Sequence, residues 1–514
     1  MPKTPSSKTD LVLTDISRRA AVDFADTPAF INDPQPNGSW SITYAELDRA
    51  ADEAAAGLRR RGIGEGAVVA LVLPSVIDYV VLFLAAARLG AVSAGLNPRF
   101  RPAETRSGLS VLQPDLVITT TALANGCDAV KCPVDIIEPG SEPASVAAAF
   151  RVVGAEPATA LPDDPERPVC ICFTSGSTGQ PRGAWYANRQ LTRIAELDTG
   201  GAWGGGGHGL SSTEFAHVGF MTKLPWMIAT GRTTHLLNRW RADAVLDLIV
   251  RHEMPAVTGV APQIALLLQL PNITDHDFTH VRAIVVGGAA SPPALVRRAR
   301  EVFGAPYSIR YSSTESGGIG IGTALDADDE EALHTIGRPR PGVEAEIRDG
   351  EGNAVAAGEV GELWLRSGVM MSGYWNDPKG TAETIVDGWM RTGDLALIDP
   401  TGAFRLQGRV KEMFIRGGYN IYPMEVESVL VNHPSVAEVC VIPRPDDVMG
   451  EIGVACVVPA DGADTPRLDE LRDFAAEKLS HHKLPERLWI RSELPRNASD
   501  KVDRRQLIAD DKRT

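Results

Sequence analysis

One short stretch of the chain has the composition of a phosphate-binding loop. Phe173–Gly183 reads FTSGSTGQPRG, in which hydroxyl residues lie among glycines and a cation, Arg182, follows. Glycines let backbone N–H groups approach a polyphosphate, hydroxyls add donors, and the guanidinium adds positive charge. The spacing differs from the GxxxxGK[ST] loop of common nucleotide hydrolases. The apolar run Val169–Phe173 before the loop favours a nucleotide site over a bland Ser/Gly linker.

Four further motifs downstream combine aromatic, acidic and basic residues. They are Tyr311–Glu315 (YSSTE), Trp389–Leu395 (WMRTGDL), Gly408–Asn420 (GRVKEMFIRGGYN) and Pro495–Arg504 (PRNASDKVDR). A flat aromatic face suits a purine, and a carboxylate oxygen suits a hard divalent cation. Each motif alone would more often be a turn or a solvated surface segment. Their significance rests on the resemblance that all of them together show to one known family.

The five motifs, in this order, resemble those of the adenylate-forming (AMP-binding) superfamily, which includes acyl-CoA synthetases, peptide-synthetase adenylation domains and luciferases. The first is close to the family's [YF]TSG[ST]TGxPKG loop, with Arg182 at the usual lysine. The others resemble its YGxTE, TGD, hinge and PRxxxGKxxR motifs. The resemblance covers nearly the whole chain and is nearest to the acyl-CoA synthetase or fatty-acid–CoA ligase branch.

The resemblance implies a role for each matching residue. Lys501, Glu315 and Thr314 would be catalytic: Lys501 would bridge the substrate carboxylate and the α-phosphate, Thr314 would bond that phosphate, and Glu315 would hold Mg²⁺. Lys411 would be the hinge between two domains, and Gly418 would let the pantetheine arm of CoA pass. The residues expected to bind ATP or AMP are Thr174, Ser175, Gly176, Ser177, Thr178, Gly179, Arg182, Gly288, Ala289, Tyr311, Asp394 and Arg409, with Tyr311 on adenine and Asp394 on the ribose.

The acyl pocket is expected to contain His217, Val260 and Ser312. Apolar neighbours such as Val218 and Phe220 suit a hydrophobic acid. Glu214 could imitate the aspartate that binds an ammonium group in amino-acid adenylating domains, but its context resembles the acyl-CoA synthetases more closely. We therefore expect an ATP-dependent acyl-CoA ligase that activates a hydrophobic carboxylic acid as its adenylate and releases AMP and pyrophosphate, with ATP and CoA as co-substrates and Mg²⁺ as cofactor.

Two alternatives stay open. One is an acyl-AMP ligase that loads a carrier protein instead of CoA. The other is a catalytically silent binding or regulatory relative, because Arg182 and Asp500 depart from the family pattern. The nature of the acid, whether fatty, aromatic or ring-bearing, is also open, as is assembly into a homodimer.

The overall composition agrees with such an enzyme. The chain has 514 residues, of which 51 are Lys or Arg and 66 are Asp or Glu, for a net charge of -15. This acidic balance argues against bulk binding of nucleic acid or of an anionic membrane. The polar N-terminus predicts no secretory signal, and charges interrupt the apolar region around residues 68–92, so we expect a cytoplasmic protein without an integral membrane segment. No His or Cys cluster has the sequence spacing of a zinc site, and Cys170 and Cys172 have the alternation of buried strand residues.

Strand-like and helical patterns alternate through the first 300 residues, which predicts α/β architecture. Helices are expected at Thr43–Arg61 and Val76–Leu89, and strands at Val68–Leu73, Leu116–Thr119 and Ala283–Val286. Ser291 is expected to cap a helix that begins at Pro292 and ends at Gly304. The glycine-rich segment Gly200–Gly209 is expected to form a flexible loop, and residues 337–408 a small β-rich subdomain.

A compact α+β pattern begins near Arg409, with a helix at Met424–Val431 and strands at Val439–Ile442 and Val454–Val458. The predicted organisation is therefore a large N-terminal adenylation domain, residues 1–408, with layered α/β sheets and the β-rich subdomain. A small mobile α+β domain, residues 409–514, would supply the hinge, CoA presentation and the catalytic lysine.

Overall fold

The computed structural model describes residues 11–33, 39–128, 130–174, 181–237, 239–288, 291–497 and 501–512. The chain divides into two compact units. The first unit comprises residues 1–333, 339–344 and 365–390, and the second comprises residues 334–338, 345–364 and 391–514. Because residues 391–408 belong to the second unit, these units do not follow the expected boundary at 408/409, and that functional division stays a prediction.

The α-helices are, in chain order, α1 Leu13–Asp23, α2 Tyr44–Arg60, α3 Ile77–Arg88, α4 Pro102–Leu112, α5 Asn188–Thr199, α6 Val218–Met221, α7 Leu224–Ala229, α8 Ala242–Arg251, α9 Ala261–Leu268, α10 Pro293–Phe303, α11 Asp329–His334, α12 Pro378–Thr384, α13 Pro423–Leu430, α14 Leu468–Ala476 and α15 Arg504–Asp511. Among the described residues, no helix has the length and apolar character needed to cross a bilayer.

The strands are β1 Pro28–Asp33, β2 Trp40–Thr43, β3 Val68–Val72, β4 Val92–Gly95, β5 Leu116–Thr119, β6 Val134–Ile136, β7 Pro168–Phe173, β8 Gly183–Ala187, β9 His208–Leu210, β10 Thr233–Leu237, β11 Ala256–Gly259, β12 Ala283–Gly287, β13 Tyr307–Tyr311, β14 Ile321–Gly322, β15 Arg338–Pro339, β16 Val343–Arg348, β17 Gly361–Ser367, β18 Gly373–Tyr374, β19 Ile385–Val386, β20 Trp389–Ile398, β21 Phe404–Arg409, β22 Phe414–Arg416, β23 Tyr419–Ile421, β24 Val436–Asp446, β25 Gly450–Pro459 and β26 Arg487–Ile490.

A seven-stranded sheet in the order β18-β8-β7-β4-β3-β5-β6 lies at the centre of the first unit. Its strand β3 (VVALV) is buried at every position, as expected for a parallel strand covered on both faces. Strands β3, β4 and β7 are parallel, whereas β8 returns antiparallel to β7. The prediction that Cys170 and Cys172 are buried strand residues is confirmed, since both side chains are 0% exposed.

Helices α2 and α3 show why the local sequence patterns are informative. Thr43 and Glu46 form a reciprocal capping box at the start of α2, which satisfies two backbone donors that a helix end leaves unpaired. Helix α3 is apolar and buried on nearly all sides and packs against α2 in the same hydrophobic core. The predictions of these two helices and of strands β3, β5 and β12 are confirmed to within two residues at each end.

Two further sheets belong to the same layered architecture. One has the order β2-β1-β10-β9, and the other has the order β11-β12-β13-β14-β15. Strands β11, β12 and β13 are parallel, so their carboxyl ends lie at one edge of the sheet. The residues that follow parallel strands at such an edge are where ligands bind in α/β folds.

One local prediction is wrong, and a second is correct for only part of its segment. Ser291 does not cap helix α10, because Pro292 is the N-cap residue and the Ser291 hydroxyl instead hydrogen bonds with the Tyr307 hydroxyl at 2.9 Å. The glycine-rich segment is not a loop throughout, since Gly209 lies in strand β9. For Ser291, a tertiary contact with Tyr307 prevails over its local preference for a helix N-cap. For Gly209, pairing with strand β10 prevails over the tendency of glycine to form loops.

A sheet of strands from the middle of the chain has the order β16-β17-β20-β19, with β21 beside β20. This agrees with the short strands expected after residue 337. In the second unit, β23-β22-β25-β24 form another sheet, with β26 beside β25. Buried residues of α13, α14 and this sheet share one core, which includes Val426, Leu430, Val441, Ala455 and Leu471. The predicted α+β character of this region is confirmed.

Candidate active site

The glycine- and hydroxyl-rich segment connects two antiparallel strands. Phe173 of β7 pairs with Gly183 of β8, and the Thr174 N–H donates to the Arg182 carbonyl at 2.9 Å. Strands β7 and β8 therefore form a hairpin whose backbone pairing continues to Thr174 and Arg182. The predictions for Ser175, Gly176, Ser177, Thr178 and Gly179 lie outside the described residues.

Arg182 lies at the base of this hairpin beside two residues of the 365–390 segment. Its guanidinium is 3.5 Å from the Asp377 carboxylate, and about a third of each side chain is exposed (38% and 35%). The guanidinium carbon also lies 5.1 Å from the centre of the Tyr374 ring. A partly exposed ion pair of this length contributes little to stability. Arg182 can therefore exchange a carboxylate oxygen for a phosphate oxygen at low cost.

Tyr374 also contacts the predicted magnesium ligand. Its hydroxyl donates a hydrogen bond of 2.8 Å to Oε1 of Glu315. Burial raises the pKa of Tyr374, and the Glu315 charge raises it further, so the phenol stays protonated and remains a donor. Tyr374 thus links two residues that the motifs had assigned separately, Glu315 and Arg182. This tyrosine belongs to none of the motifs, and no sequence pattern indicates it.

The turn that carries Thr314 and Glu315 is fixed by a second tyrosine. The Tyr186 hydroxyl, on β8, donates to the Thr314 carbonyl and accepts from the Gly317 N–H at 3.2 Å. Ser313 and Ser316 also exchange backbone-to-hydroxyl bonds of 3.0 and 3.1 Å. These bonds hold the backbone of the turn that carries Thr314 and Glu315, and the Tyr374 hydrogen bond holds the Glu315 carboxylate. Tyr186 is the second positioning residue that the motifs did not indicate.

Three predicted residues follow parallel strands at one sheet edge. Val260 follows β11, Gly288 follows β12, and Tyr311 ends β13. Gly288 has a φ of +78°, and a Cβ there would lie 3.4 Å from Cγ1 of Val260. The structure thus brings Val260 and Gly288 together, with Tyr311 half-buried at the end of the neighbouring strand. Ser312 follows directly, while Ala289 lies outside the described residues.

The predicted pocket histidine, His217, is the N-cap residue of the short helix α6. Its Nε2 lies 3.3 Å from Nδ2 of Asn97, which follows strand β4. The Phe215 and Phe220 rings stack nearby in sequence, with centroids 3.6 Å apart. Glu214 accepts a 2.7 Å hydrogen bond from Ser75 and lies 3.3 Å from Arg99, so its charge is already balanced by a cation of the protein.

In the second unit, Asp394 and Arg409 lie opposite each other on β20 and β21. Nε of Arg409 donates to Oδ1 of Asp394 at 2.8 Å. Glu362 supports this pair by accepting from the Arg391 guanidinium at 3.0 and 2.8 Å and from the Gly393 N–H at 3.1 Å. Two predicted nucleotide ligands are therefore brought together, with the carboxylate oriented by the arginine.

The predicted hinge and CoA residues lie on exposed turns of the second unit. Lys411 is exposed in the turn after β21. Gly417 and Gly418 form the two-residue turn between β22 and β23, with φ values of 55° and 87°. A hairpin turn of this kind requires positive φ at both positions, which favours glycine. The turn geometry therefore explains why glycine is present at position 418, independently of the predicted passage of pantetheine.

Lys501 is exposed, on a short segment closed by Asn497. The Lys501 N–H donates to Oδ1 of Asn497 at 3.2 Å, and its carbonyl accepts from the Asn497 N–H at 2.8 Å. Three residues later, Arg504 is anchored by Glu427 at 2.6 Å and Glu412 at 3.1 Å. Burial opposes the charge on Arg504, but the facing carboxylates raise its pKa on balance. Arg504 thus fixes the segment behind Lys501, while Asp500 lies outside the described residues.

The comparisons with known proteins identify the class. Residues 17–375 match the AMP-binding enzyme family model, and residues 425–501 match the model of the AMP-binding enzyme C-terminal domain. The chain therefore belongs to the AMP-binding enzymes, a family of adenylate-forming ligases.

Relatives within this family differ in acid and in acceptor. The chain is 30% identical over 481 residues to the fatty acid–[acyl-carrier-protein] ligase ScoC of Streptomyces coeruleorubidus, with 91% of each chain covered. It is also 30% identical over 488 residues to the indoleacetate–CoA ligase of Aromatoleum aromaticum, with 91% of this chain and 93% of the relative covered. The structure of o-succinylbenzoate CoA synthetase (MenE) from Bacillus subtilis with its acyl-adenylate intermediate is similar, with a TM-score of 0.82, 25% identity, and coverage of 96% of this chain and 97% of that one.

Proposed function

We propose that this protein is an ATP-dependent acyl-CoA ligase that activates a hydrophobic carboxylic acid. The observation that carries the proposal is the arrangement around Tyr374, which joins the Glu315 carboxylate to the Arg182 cation at the base of the glycine-rich hairpin. The Glu315 carboxylate can bind Mg²⁺, and the Arg182 guanidinium beside it can bind a phosphate oxygen. Both interactions are needed to bind a Mg²⁺–triphosphate. In this proposal Glu315 holds Mg²⁺, which when bound offsets the negative charge of the triphosphate.

The first half-reaction forms the acyl-adenylate. An oxygen of the acid attacks the α-phosphorus of ATP, the bond to the β-phosphate oxygen breaks, and pyrophosphate leaves. Both reactants are anions, so the protein must reduce their repulsion and stabilise charge on the transferring group. We assign this role to Lys501 and Thr314, with Tyr311 against the adenine and Asp394, oriented by Arg409, on the ribose. The attacking carboxylate is already ionised, so this step needs no general base.

The second half-reaction transfers the acyl group. The CoA thiol attacks the acyl carbon, the acyl–phosphate bond breaks, and AMP leaves. We propose that residues 1–408 and 409–514 act as two functional domains and change orientation between the two steps about Lys411, a hinge-type switch. Lys501 would lie in the active site during adenylation, and the Gly418 turn would lie there during thioester formation.

The surroundings of His217 support a hydrophobic acid. Val218 next to it in the chain and Val260 at the sheet edge are partly exposed aliphatic residues. The stacked rings of Phe215 and Phe220 are buried (1% and 0% exposed) and support this region from the core. Glu214 pairs with Arg99, which argues against its use as a counter-ion for the ammonium group of an amino acid. The pocket residues His217, Val260 and Ser312 therefore favour a fatty, aromatic or ring-bearing acid over an amino acid.

The proposal is tested by incubating the protein with ATP, Mg²⁺, CoA and each acid of a broad panel. Mass spectrometry then identifies the CoA esters that form. We expect thioesters of hydrophobic acids together with equimolar AMP. A panel that gives AMP and adenylate but no CoA ester would contradict CoA as the acceptor.

A second candidate function is an acyl-AMP ligase that loads a carrier protein, and the similarity to ScoC favours it. The discriminating experiment offers free CoA and a phosphopantetheinylated carrier protein in parallel reactions. Transfer to the carrier alone would support this second candidate. The catalytically silent alternative predicts no pyrophosphate–ATP exchange with any acid.

A further inference from the structure

We propose that His208, His235 and His252 form a binding site for a divalent transition-metal ion of the zinc type, separate from the ATP site. One ring nitrogen from each histidine lies within 4.8 Å of the others. Three imidazoles are a favourable ligand set for Zn²⁺, Co²⁺, Ni²⁺ or Cu²⁺ and a poor one for Mg²⁺, which takes oxygen ligands. The cluster belongs to none of the motifs assigned above.

Strand pairing explains how two of the histidines meet. Strands β9 and β10 are parallel, with His208 opposite Thr233 and Leu210 opposite His235. Since side chains alternate along a strand, His235 lies on the same face as Thr233 and therefore on the same face as His208. Nδ1 of His208 and Nε2 of His235 are 2.9 Å apart.

The third histidine comes from a helix end. His252 is the C-cap residue of α8, and its backbone N–H donates to the Leu248 carbonyl at 3.1 Å. Its ring centre is 4.5 Å from that of His208 and 4.4 Å from that of His235. The carboxyl end of a helix carries partial negative charge, which favours a cation there.

The exposure of the three rings suits metal entry and retention. His235 is fully buried (0% exposed), whereas His208 and His252 are half-buried. A metal can therefore reach the cluster from the side of His208 and His252, and water can occupy a fourth position. The guanidinium of Arg232, on the residue before β10, is the nearby charge that opposes a bound cation.

The geometry requires only small ring movements. Zn–N bonds of about 2.0–2.1 Å place two nitrogens of a tetrahedral site about 3.4 Å apart. The observed nitrogen separations, from 2.9 Å to at most 4.8 Å, lie on both sides of that value. Rotations of the side chains would turn the His208–His235 hydrogen bond into joint ligation. A bound ion would tie β9 and the end of α8 to β10, and it would stabilise this part of the fold through linkage to binding.

The test is a Zn²⁺ competition titration of chelator-treated full-length protein, with excess Mg²⁺ present to occupy hard oxygen sites. We expect one Zn²⁺ per chain for the wild type. His208→Gln and His252→Gln should each weaken binding by more than roughly 100-fold, since even the residues behind a metal ligand typically contribute 10–100-fold. The matched control is His276→Gln, which changes a half-buried histidine outside the cluster and should bind Zn²⁺ like the wild type.

Two further measurements keep the proposal falsifiable if a variant folds poorly. Circular dichroism of metal-free variants reports folding, and Co²⁺ added to the wild type should give the visible absorption of a four-coordinate nitrogen site. Zn²⁺ should also raise the Tm of the wild type and of His276→Gln. The proposal is overturned if the wild type binds no Zn²⁺, if its Co²⁺ complex lacks this absorption, or if folded cluster variants bind like the wild type.

Discussion

The Tyr374 hydroxyl donates a 2.8 Å hydrogen bond to Oε1 of Glu315, although 59 residues separate the two in the chain. The same tyrosine ring lies 5.1 Å from the Arg182 guanidinium carbon. Tyr374, which belongs to none of the motifs, therefore contacts both Glu315 and Arg182, which do belong to motifs. This gives Tyr374 a testable part in the proposed reaction.

Replacing Tyr374 with phenylalanine should lower the rate of adenylation about tenfold, as expected for the loss of one hydrogen bond to a charged group. Tyr374 is not among the residues assigned to the acyl pocket, so the KM for the acid should not change. The measurement is acid-dependent pyrophosphate–ATP exchange. Tyr307→Phe is the control, because it also removes the hydrogen bond of a buried tyrosine hydroxyl, here with Ser291 at 2.9 Å. Tyr307 begins β13, whereas Tyr311, the residue assigned to adenine, ends it. Equal losses in both variants would assign Tyr374 a role in stability alone.

Replacing Glu315 with glutamine should reduce the exchange rate by roughly 100-fold or more, because a neutral amide is a poor ligand for Mg²⁺. Glu315→Asp keeps the charge on a shorter stem and should recover part of the activity at raised Mg²⁺. Glu301→Gln changes an exposed glutamate paired with Arg298 and is the control. Activity of Glu315→Gln that does not depend on Mg²⁺ concentration would exclude a role for Glu315 in metal binding.

Replacing Lys501 with alanine should abolish adenylation, by roughly 10²–10³-fold, while sparing thioester formation from a pre-made acyl-adenylate. The lysine is exposed on a segment held by Asn497 and Arg504, so the change should leave folding intact. Lys379→Ala, at a side chain that is 89% exposed, controls for loss of a surface charge. Equal loss of both half-reactions would contradict the alternation of domains.

Replacing Gly418 tests its two roles separately. Gly418→Leu should lose thioester formation and also stability, because leucine is strained at a φ of 87°. Gly418→Asn tolerates positive φ much better and should keep the Tm near the wild-type value. If pantetheine passes this position, Gly418→Asn should still slow thioester formation about 100-fold while adenylation continues. A normal thioester rate in folded Gly418→Asn would mean that the turn alone requires glycine.

Much of the fold could be predicted because its signals are local. The capping pair Thr43 and Glu46 marks the start of α2, and the unbroken apolar run of β3 marks a strand covered on both faces. The nucleotide motifs were also legible, since each is a contiguous group of residues. The predictions for Ser175–Gly179, Ala289 and Asp500 concern residues outside those that the structure describes.

The missed features depend on contacts between distant parts of the chain. Tyr186 and Tyr374 act on the YSSTE turn from separate strands, and no spacing rule connects them with it. The three clustered histidines come from two strands and a helix end, so they do not have the sequence spacing of a zinc site. Ser291 failed as a cap for the same reason, because Tyr307 takes its hydroxyl. Such relationships appear only when the packing is known.

Pyrophosphate–ATP exchange tests the central claim most directly, because it reports adenylate formation without any assumption about the acceptor. We predict exchange that requires both Mg²⁺ and a hydrophobic carboxylic acid in the wild type and that falls to background in Lys501→Ala and Glu315→Gln. Exchange absent from the folded wild type across the whole acid panel, or undiminished in both variants, would contradict the assignment of this site.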